Sequence, residues 1–185
     1  MDKKYLLFSF FIFIFCLSCN NNQDIRYYRI PKMDVVNSDN QKLTHSSGLE
    51  WIVPKGWVAM EKTSIRIGSY KIPWSDGTGE LSIIKLAGNA GGIIPNINRW
   101  RGQLSLHTLS ENEILKFIKS YDSALGPFQW LKIINHENSE SAFLASIFQT
   151  KTHTIFVKLN TSISGLSILE SQFLRFCKSF RNEIE

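Results

Sequence analysis

The sequence predicts an α+β domain in which helices cover an antiparallel β-sheet. Several short segments alternate apolar and polar residues and are bounded by turn residues, as strands of an antiparallel sheet are. Two inner segments have helical spacing, and the C-terminal segment places its large apolar side chains on one helical face. The chain has 185 residues and contains no internal repeat, so these elements are expected to share one core.

The first predicted strands lie between residues 49 and 88. The segment LEWIV places Leu49, Trp51 and Val53 on one face, and Pro54 and Gly56 end the strand. Two further strands are predicted over residues 64–72 and 79–88, separated by turn-forming residues at 73–77. An edge strand is also expected at the end of the polar stretch that precedes residue 48.

The second half of the chain is predicted to contain a helix, three strands and a terminal helix. Ser110 and Glu113 form a capping box before a helix with apolar residues Ile114, Leu115, Phe117, Ile118 and Tyr121. Strands follow over residues 128–136, 141–150 and 153–161, the last two as a hairpin. The helix over residues 167–180 places on one face Leu169, Phe173, Phe176, Cys177 and Phe180. Across the domain the aromatic residues expected in the core are Trp51, Trp57, Trp100, Phe156, Phe173 and Phe180.

The N-terminus has the pattern of an export signal. Lys3 and Lys4 precede an apolar run from Tyr5 to Leu17, which is too short to span a bilayer and suits a signal peptide. The run ends in Cys-Leu-Ser-Cys before a polar stretch, and this resembles the lipobox of bacterial lipoproteins. It departs from that pattern at Cys16, where leucine is usual. The resemblance implies a signal peptide over residues 1–18 and lipidation of Cys19; an ordinary signal peptide or an uncleaved anchor is the alternative.

The rest of the chain divides into a tether and a domain. Residues 19–47 are polar and are expected to connect the lipid anchor to a single domain over residues 48–182. The net charge is +5, and Lys and Arg are scattered, which argues against a nucleic-acid groove. With Cys19 lipidated, Cys177 has no disulfide partner and is expected to be a small core residue.

Two short motifs in the domain resemble the PsbP-like fold. They are Val-Pro-Lys-Gly-Trp at 53–57 and Lys-Ser-Phe-Arg at 178–181. An extrinsic photosystem II protein, a small Ran-binding import factor and various bacterial lipoproteins share this fold. The likeness covers most of residues 48–182 and implies a PsbP-like sandwich with a binding or accessory role. The run Asn96–Gln103 also resembles a motif, NxNRWRGQ, of exported bacterial proteins of unassigned function.

The segment GGIIPNINRWRGQL at 91–104 is the candidate site, and its structural interpretation comes first. A helix that begins at Pro95 or Asn96 places Ile97, Trp100 and Leu104 on one face. Trp100 would then fill the core and Asn96 would cap the helix. Arg99 and Gln103 would form hydrogen bonds with loop carbonyls, while Asn98 and Arg101 would point away.

The functional interpretation of the same segment is a contact site. Arg and Trp dominate the energetics of interfaces, so this helix could bind a protein partner. Alternatively, the loop at Gly88–Gly92 and the helix N-terminus could hold an anion, although neither nucleotide-binding fingerprint is present. The candidate contact residues are Asn96, Asn98, Arg99, Arg101 and Gln103.

The sequence offers no converging set of catalytic groups. Its four histidines stand apart without a metal-binding spacing, and no G-x-S-x-G motif occurs. We therefore expect a non-enzyme without cofactor or metal. The expected function is an accessory or interaction module, exported and lipid-anchored at the periplasmic or outer face of a bacterial membrane, with a membrane or envelope complex as partner and no nucleic acid. The alternative is a small-ligand-binding or anion-binding protein, or a hydrolase, that uses the Gly88–Gly92 loop and the helix with Arg99, Arg101 and Gln103.

Overall fold

A computed structural model describes residues 42–63 and 65–183, so the predicted signal peptide, Cys19 and most of the tether lie outside the described residues. The described chain forms two antiparallel sheets and three helices, which confirms the predicted α+β class. The strands are β1 (Lys42–Ser46), β2 (Leu49–Val53), β3 (Val58–Ala59), β4 (Arg66–Trp74), β5 (Gly77–Ala87), β6 (Lys119–Ser123), β7 (Gly126–Ile134), β8 (Ala142–Gln149), β9 (His153–Thr161) and β10 (Arg181–Asn182). The helices are α1 (Ile93–Gln103), α2 (Glu111–Leu115) and α3 (Ile163–Lys178).

The large sheet has seven strands in the order β3-β4-β5-β9-β8-β7-β6. Strand β8 lies near its centre, and every residue from Ala142 to Phe148 is buried. A strand that is apolar on both faces needs cover on both faces, which accounts for its nearly unbroken apolar sequence. Strands β8 and β9 form the predicted hairpin.

The first face of the large sheet carries the main core. Helix α3 and the small sheet β1-β2-β10 pack on this face. Phe180, just beyond α3, is fully buried and stacks on Trp51 at 5.4 Å and on Phe148 at 5.1 Å between ring centroids. Aromatic stacking across three elements therefore joins the small sheet, the chain end and the large sheet.

The second face of the large sheet carries a smaller core under α1 and α2. Ile97 and Trp100 from α1 and Ile114 from α2 pack over Phe143 and Phe156 of the sheet. Trp100 contacts Phe156 edge-on, with ring centroids 5.7 Å apart. These short helices lie over β7, β8 and parts of β9 and β5, so the two faces receive unequal cover.

The small sheet contains a buried carboxylate. His45, Glu50 and Arg181 are register partners on its three strands. The Glu50 side chain is only 6% exposed; it accepts a hydrogen bond from Arg181 Nε at 2.7 Å and lies 2.9 Å from His45 Nδ1. Glu50 thus connects the first and last described strands of the domain.

Several boundaries differ from the sequence-based expectation. Strand β4 runs through Pro73 to Trp74 and β5 begins at Gly77, so the predicted turn at 73–77 shrinks to Ser75 and Asp76. Pro73 is tolerated because β3 pairs with β4 only at Tyr70 and Lys71, which leaves no neighbour needing the missing N–H. The expected edge strand before residue 48 is present as β1.

The terminal helix begins earlier than predicted. Ser162 caps α3, with its Oγ accepting from Gly165 N at 3.1 Å, and the helix includes Gly165. A Cβ at Gly165 would lie 2.9 Å from ring atoms of Trp74. Glycine is therefore required at this helical position by close packing.

Two further expectations were wrong. The capping box of Ser110 and Glu113 is present, but α2 ends at Leu115 and Tyr121 lies in β6, paired with Phe128. Pairing with β7 outweighs the helical spacing of a short segment.

Trp57, which was predicted to lie in the core, is only partly buried and packs on Phe176. The other five predicted core aromatics are buried.

The buried carboxylate generates a stability prediction. Glu50→Gln removes the counter-charge of Arg181 and should lower the free energy of unfolding by about 1–3 kcal/mol. Urea denaturation measures this change. Glu170→Gln, which removes a partly exposed ion pair with Lys132, is the matched control and should cost about 1 kcal/mol or less. Equal effects of the two variants would contradict the role assigned to Glu50.

Candidate functional site

The glycine loop before α1 is shaped by residues with positive φ. Gly88, Gly91 and Gly92 have φ angles of 61°, 84° and 87°, a region that glycine adopts without strain. Helix α1 begins at Ile93 with Gly92 as its N-cap, so the prediction that Asn96 caps the helix was wrong. Instead, Asn96 Nδ2 donates to Ala90 O at 2.9 Å and to Gly92 O at 2.6 Å. Asn96 is buried and fixes the loop.

Asn98 and Arg101 hold the loop that follows α1. Asn98 Nδ2 donates to Leu109 O, and Asn98 Oδ1 accepts from Leu109 N, each at 2.9 Å. Arg101 Nε donates to His107 O at 2.8 Å. Helical spacing predicted that these two side chains point away from the domain. This prediction was wrong, because the chain after α1 folds back along the helix. Both side chains therefore bind the backbone of the returning loop.

Arg99 and Gln103 are exposed and lie beside the sheet rather than on loop carbonyls. Arg99 Nη2 donates to Asn96 Oδ1 at 2.6 Å. Gln103 Oε1 accepts from Lys158 Nζ on β9 at 2.6 Å. Of the five candidate contact residues, these two are available to a partner, whereas Asn96, Asn98 and Arg101 support the local fold.

Beyond α1, the second face of the large sheet presents polar side chains. Register pairing places Glu80 beside Lys71 and Asn160, and Ser82 beside Lys158. These residues share the face of Phe156, because side chains alternate along a strand. We call this surface the open half; it consists of Arg66, Lys71, Glu80, Ser82, Lys158 and Asn160.

Lys158 is the most perturbed cation of the open half. Its Nζ lies 4.2 Å from the centroid of the Phe143 ring. Burial, followed by the positive charges of Arg99 and Arg66, lowers the pKa of Lys158 to about 8. The charges acting on this ammonium are both positive, so an approaching carboxylate or phosphate would relieve repulsion. Sequence reasoning missed Lys158, although a lysine inside an apolar strand was a usable signal.

An apolar margin borders the open half. Val58 is 46% exposed and pairs with Lys71, which places it on the same face. Met60, two residues further along, is 38% exposed and its N–H donates to Ser69 O at 2.9 Å, so it continues this ladder. An apolar strip beside cationic side chains is the composition that interfaces use, with apolar contacts flanked by a polar rim.

The remaining sequence candidates do not converge. Within residues 42–63 and 65–183, no group of three or more His, Cys, Asp or Glu side chains could hold a metal ion. Cys177 is buried, and burial raises the pKa of its thiol to about 12, so the thiolate nucleophile is scarce at neutral pH. Over the same residues, no helix is both long and apolar enough to cross a bilayer.

Comparison with known proteins identifies the fold. No family model and no curated protein matches the chain. Among solved structures, cyanobacterial PsbP (CyanoP) from Synechocystis sp. PCC 6803 is similar, with a TM-score of 0.52 and 15% identity over 83% of this chain and 100% of that one. The chain therefore has a PsbP-like fold, as its two short motifs suggested.

Two more distant structures also align. The Ran-binding protein Mog1p of Saccharomyces cerevisiae has a TM-score of 0.45 and 9% identity, over 78% of this chain and 96% of that one. LpqN of Mycobacterium tuberculosis, described as involved in cell envelope biogenesis, has a TM-score of 0.45 and 10% identity, over 78% of this chain and 86% of that one.

Lys158 generates a pH prediction. Its pKa is about 8 in the folded protein and 10.5 for an ordinary lysine, so the unfolded chain binds more protons between these values. The stability of the wild type relative to Lys158→Met should therefore rise as the pH increases from about 8 to 10.5. Chemical denaturation at a series of pH values measures the difference, with Lys71→Met as a lysine control on the same face. A difference that falls with pH over this window would contradict the assignment.

Proposed function

We propose that this chain is a membrane-tethered, non-enzymatic interaction module that docks onto a larger membrane or envelope protein through the open half. The observation that carries the proposal is the unequal cover of the large sheet. The second face lies under α1 and α2 over β7, β8 and the part of β5 and β9 that contains Ile84 and Phe156. Beyond this point the face exposes cations next to Val58 and Met60.

The composition of this surface defines the partner. The open half holds the cations Arg66, Lys71 and Lys158, and Arg99 of α1 adds a fourth at its border. Glu80 is the one carboxylate in this set. Complementary charge steers association and fixes orientation, so the matching partner presents acidic side chains around an apolar contact.

The two interpretations of the candidate segment combine in this proposal. Trp100 packs α1 on the sheet, and Asn96 and Asn98 hold the loops at its two ends. Arg99 and Gln103 then lie at the border of the open half. An anion site at the glycine loop has weaker support, because the N–H groups of Gly91 and Gly92 already donate to Asn89 Oδ1 at 3.2 Å and Asn89 O at 2.9 Å. Pro95 also removes one N–H from the first helical turn.

The tether in the proposal rests on the lipobox resemblance. Acyl chains contribute about 0.8 kcal/mol for each buried methylene, and stable attachment needs more than one chain. Two chains on Cys19 would retain the domain at the membrane surface and raise its local concentration near a membrane partner. The expected location is a bacterial membrane, at its periplasmic or outer face.

Lipidation of Cys19 can be tested directly. The wild type should incorporate radioactive palmitate and enter the detergent phase on phase partitioning. Cys19→Ala should lose both properties, because no other residue takes the acyl chain. Cys16→Ala is the matched control and should keep the label. Continued labelling of Cys19→Ala would rule out this anchor.

The docking surface can be tested by affinity purification from membranes in mild detergent. The wild type should retain a stoichiometric membrane protein. Val58→Asp with Met60→Asp, and separately Arg66→Glu, should each weaken this complex by about 2 kcal/mol or more while the domain stays folded. The controls are Leu115→Asp and Ile168→Asp, which place the same charge at side chains that are 55% and 51% exposed elsewhere. Loss of the partner with the controls but not with the docking variants would overturn the proposal.

A further inference from the structure

A polar cleft lies at the end of the domain, between the two sheets. It has a volume of about 470 Å³ and is lined by the β1–β2 turn at Gly48, the β8–β9 turn at residues 150–152 and Asn182 of β10. This volume is within the range of about 300–1,000 Å³ typical of small-molecule sites. The cleft contains none of the residues of the open half.

The charged side chains that line the cleft are, among the described residues, all basic. Lys85 lies on β5, Lys151 lies in the β8–β9 turn and His153 begins β9. Lys85 Nζ donates to Ser47 O at 2.7 Å, which fixes the amine at the mouth while leaving its other N–H groups for a ligand. Lys151 forms no hydrogen bond or ion pair with another described residue.

The register of the small sheet places the carboxylates of Glu50 and Glu183 outside this cleft. Asn182 pairs with Leu49, and both line the cleft, whereas Arg181 pairs with Glu50. Since neighbouring residues of a strand point to opposite faces, Glu50 lies on the other face of the small sheet. Glu183 is also there, 3.5 Å from His45 Nδ1. Among the described residues, therefore, no carboxylate neutralises the positive charges within the cleft.

The cleft also offers neutral donors and an apolar wall. Asn182, which pairs with Leu49, lines it together with Leu125 and Ile155. His153 Nδ1 contacts Thr152 Oγ1 at 2.8 Å, so the orientation of this ring is fixed by its neighbour. Cationic and amide donors beside an apolar wall match an anion that carries an apolar group.

We propose that this cleft is a binding site for a small organic anion, whose carboxylate or phosphate is held between Lys85 and Lys151 and whose apolar part rests on Leu125. The site is separate from the proposed docking surface, which lies on the opposite face of the large sheet. Its occupancy and the docking function can therefore fail independently.

The test is a titration of the isotope-labelled full chain in detergent micelles, followed by amide NMR. Benzoate and phenyl phosphate are the anionic probes, and benzamide is the neutral analogue of benzoate. We expect saturable shifts at Gly48, residues 150–153 and Asn182 with an anion, and none with benzamide. The stronger of the two anions identifies the headgroup as a carboxylate or a phosphate.

Variants of the cationic pair locate the site. Lys151→Ala removes a side chain without an internal partner and should weaken anion binding about tenfold or more without altering the fold. Lys85→Ala should have a similar effect, and Lys71→Ala on the open half should leave the affinity unchanged. Equal binding of benzamide, unchanged affinity in Lys151→Ala, or shifts confined to the surroundings of Lys158 would overturn the proposal.

Discussion

The central strands of the large sheet must be covered on both faces, and this requirement determines where the helices and the small sheet pack. Strand β8 is buried on both sides from Ala142 to Phe148. Burial of apolar surface contributes roughly 25 cal/mol per Å², so both layers of cover stabilise the domain. Helix α3 and the small sheet supply one layer, and α1 with α2 supply the other. Because α1 and α2 are short, their cover ends at Ile84 of β5 and Phe156 of β9, and cationic side chains begin beyond these residues.

The dense polar motif of α1 follows from the same requirement. A short helix joined to the sheet by a glycine loop and a returning loop leaves many backbone groups needing partners. Asn96 satisfies carbonyls of the first loop, while Asn98 and Arg101 satisfy the second. The unusual composition is thus mainly structural, and it also places Arg99 and Gln103 at the border of the proposed docking surface.

Local patterns predicted the elements but not the partners of their side chains. Alternation identified the hairpin of β8 and β9, and the capping box of Ser110 and Glu113 marked the start of α2. Tyr121 fitted a helix and lies in a strand, because pairing with β7 is a long-range interaction that local spacing does not contain. The environment of Lys158 was hidden for the same reason, since residues far apart in sequence form it: Arg66, Arg99, Gln103 and Phe143.

If the proposed docking is correct, the open half becomes covered when the tethered domain joins its membrane partner. Hydrogen–deuterium exchange of the native full chain, measured alone and in the purified complex, tests this most directly. Backbone amide hydrogens exchange most readily where their hydrogen bonds are exposed to solvent. In the complex, added protection should therefore appear in β3, in β4 around Lys71 and at the C-terminal end of α1. Helix α3 around Ile168 should be unchanged. Two results would contradict docking through the open half. One is added protection of α3 with no change in β3 and β4, and the other is protection of β3 and β4 that is the same in the free full chain and in the complex.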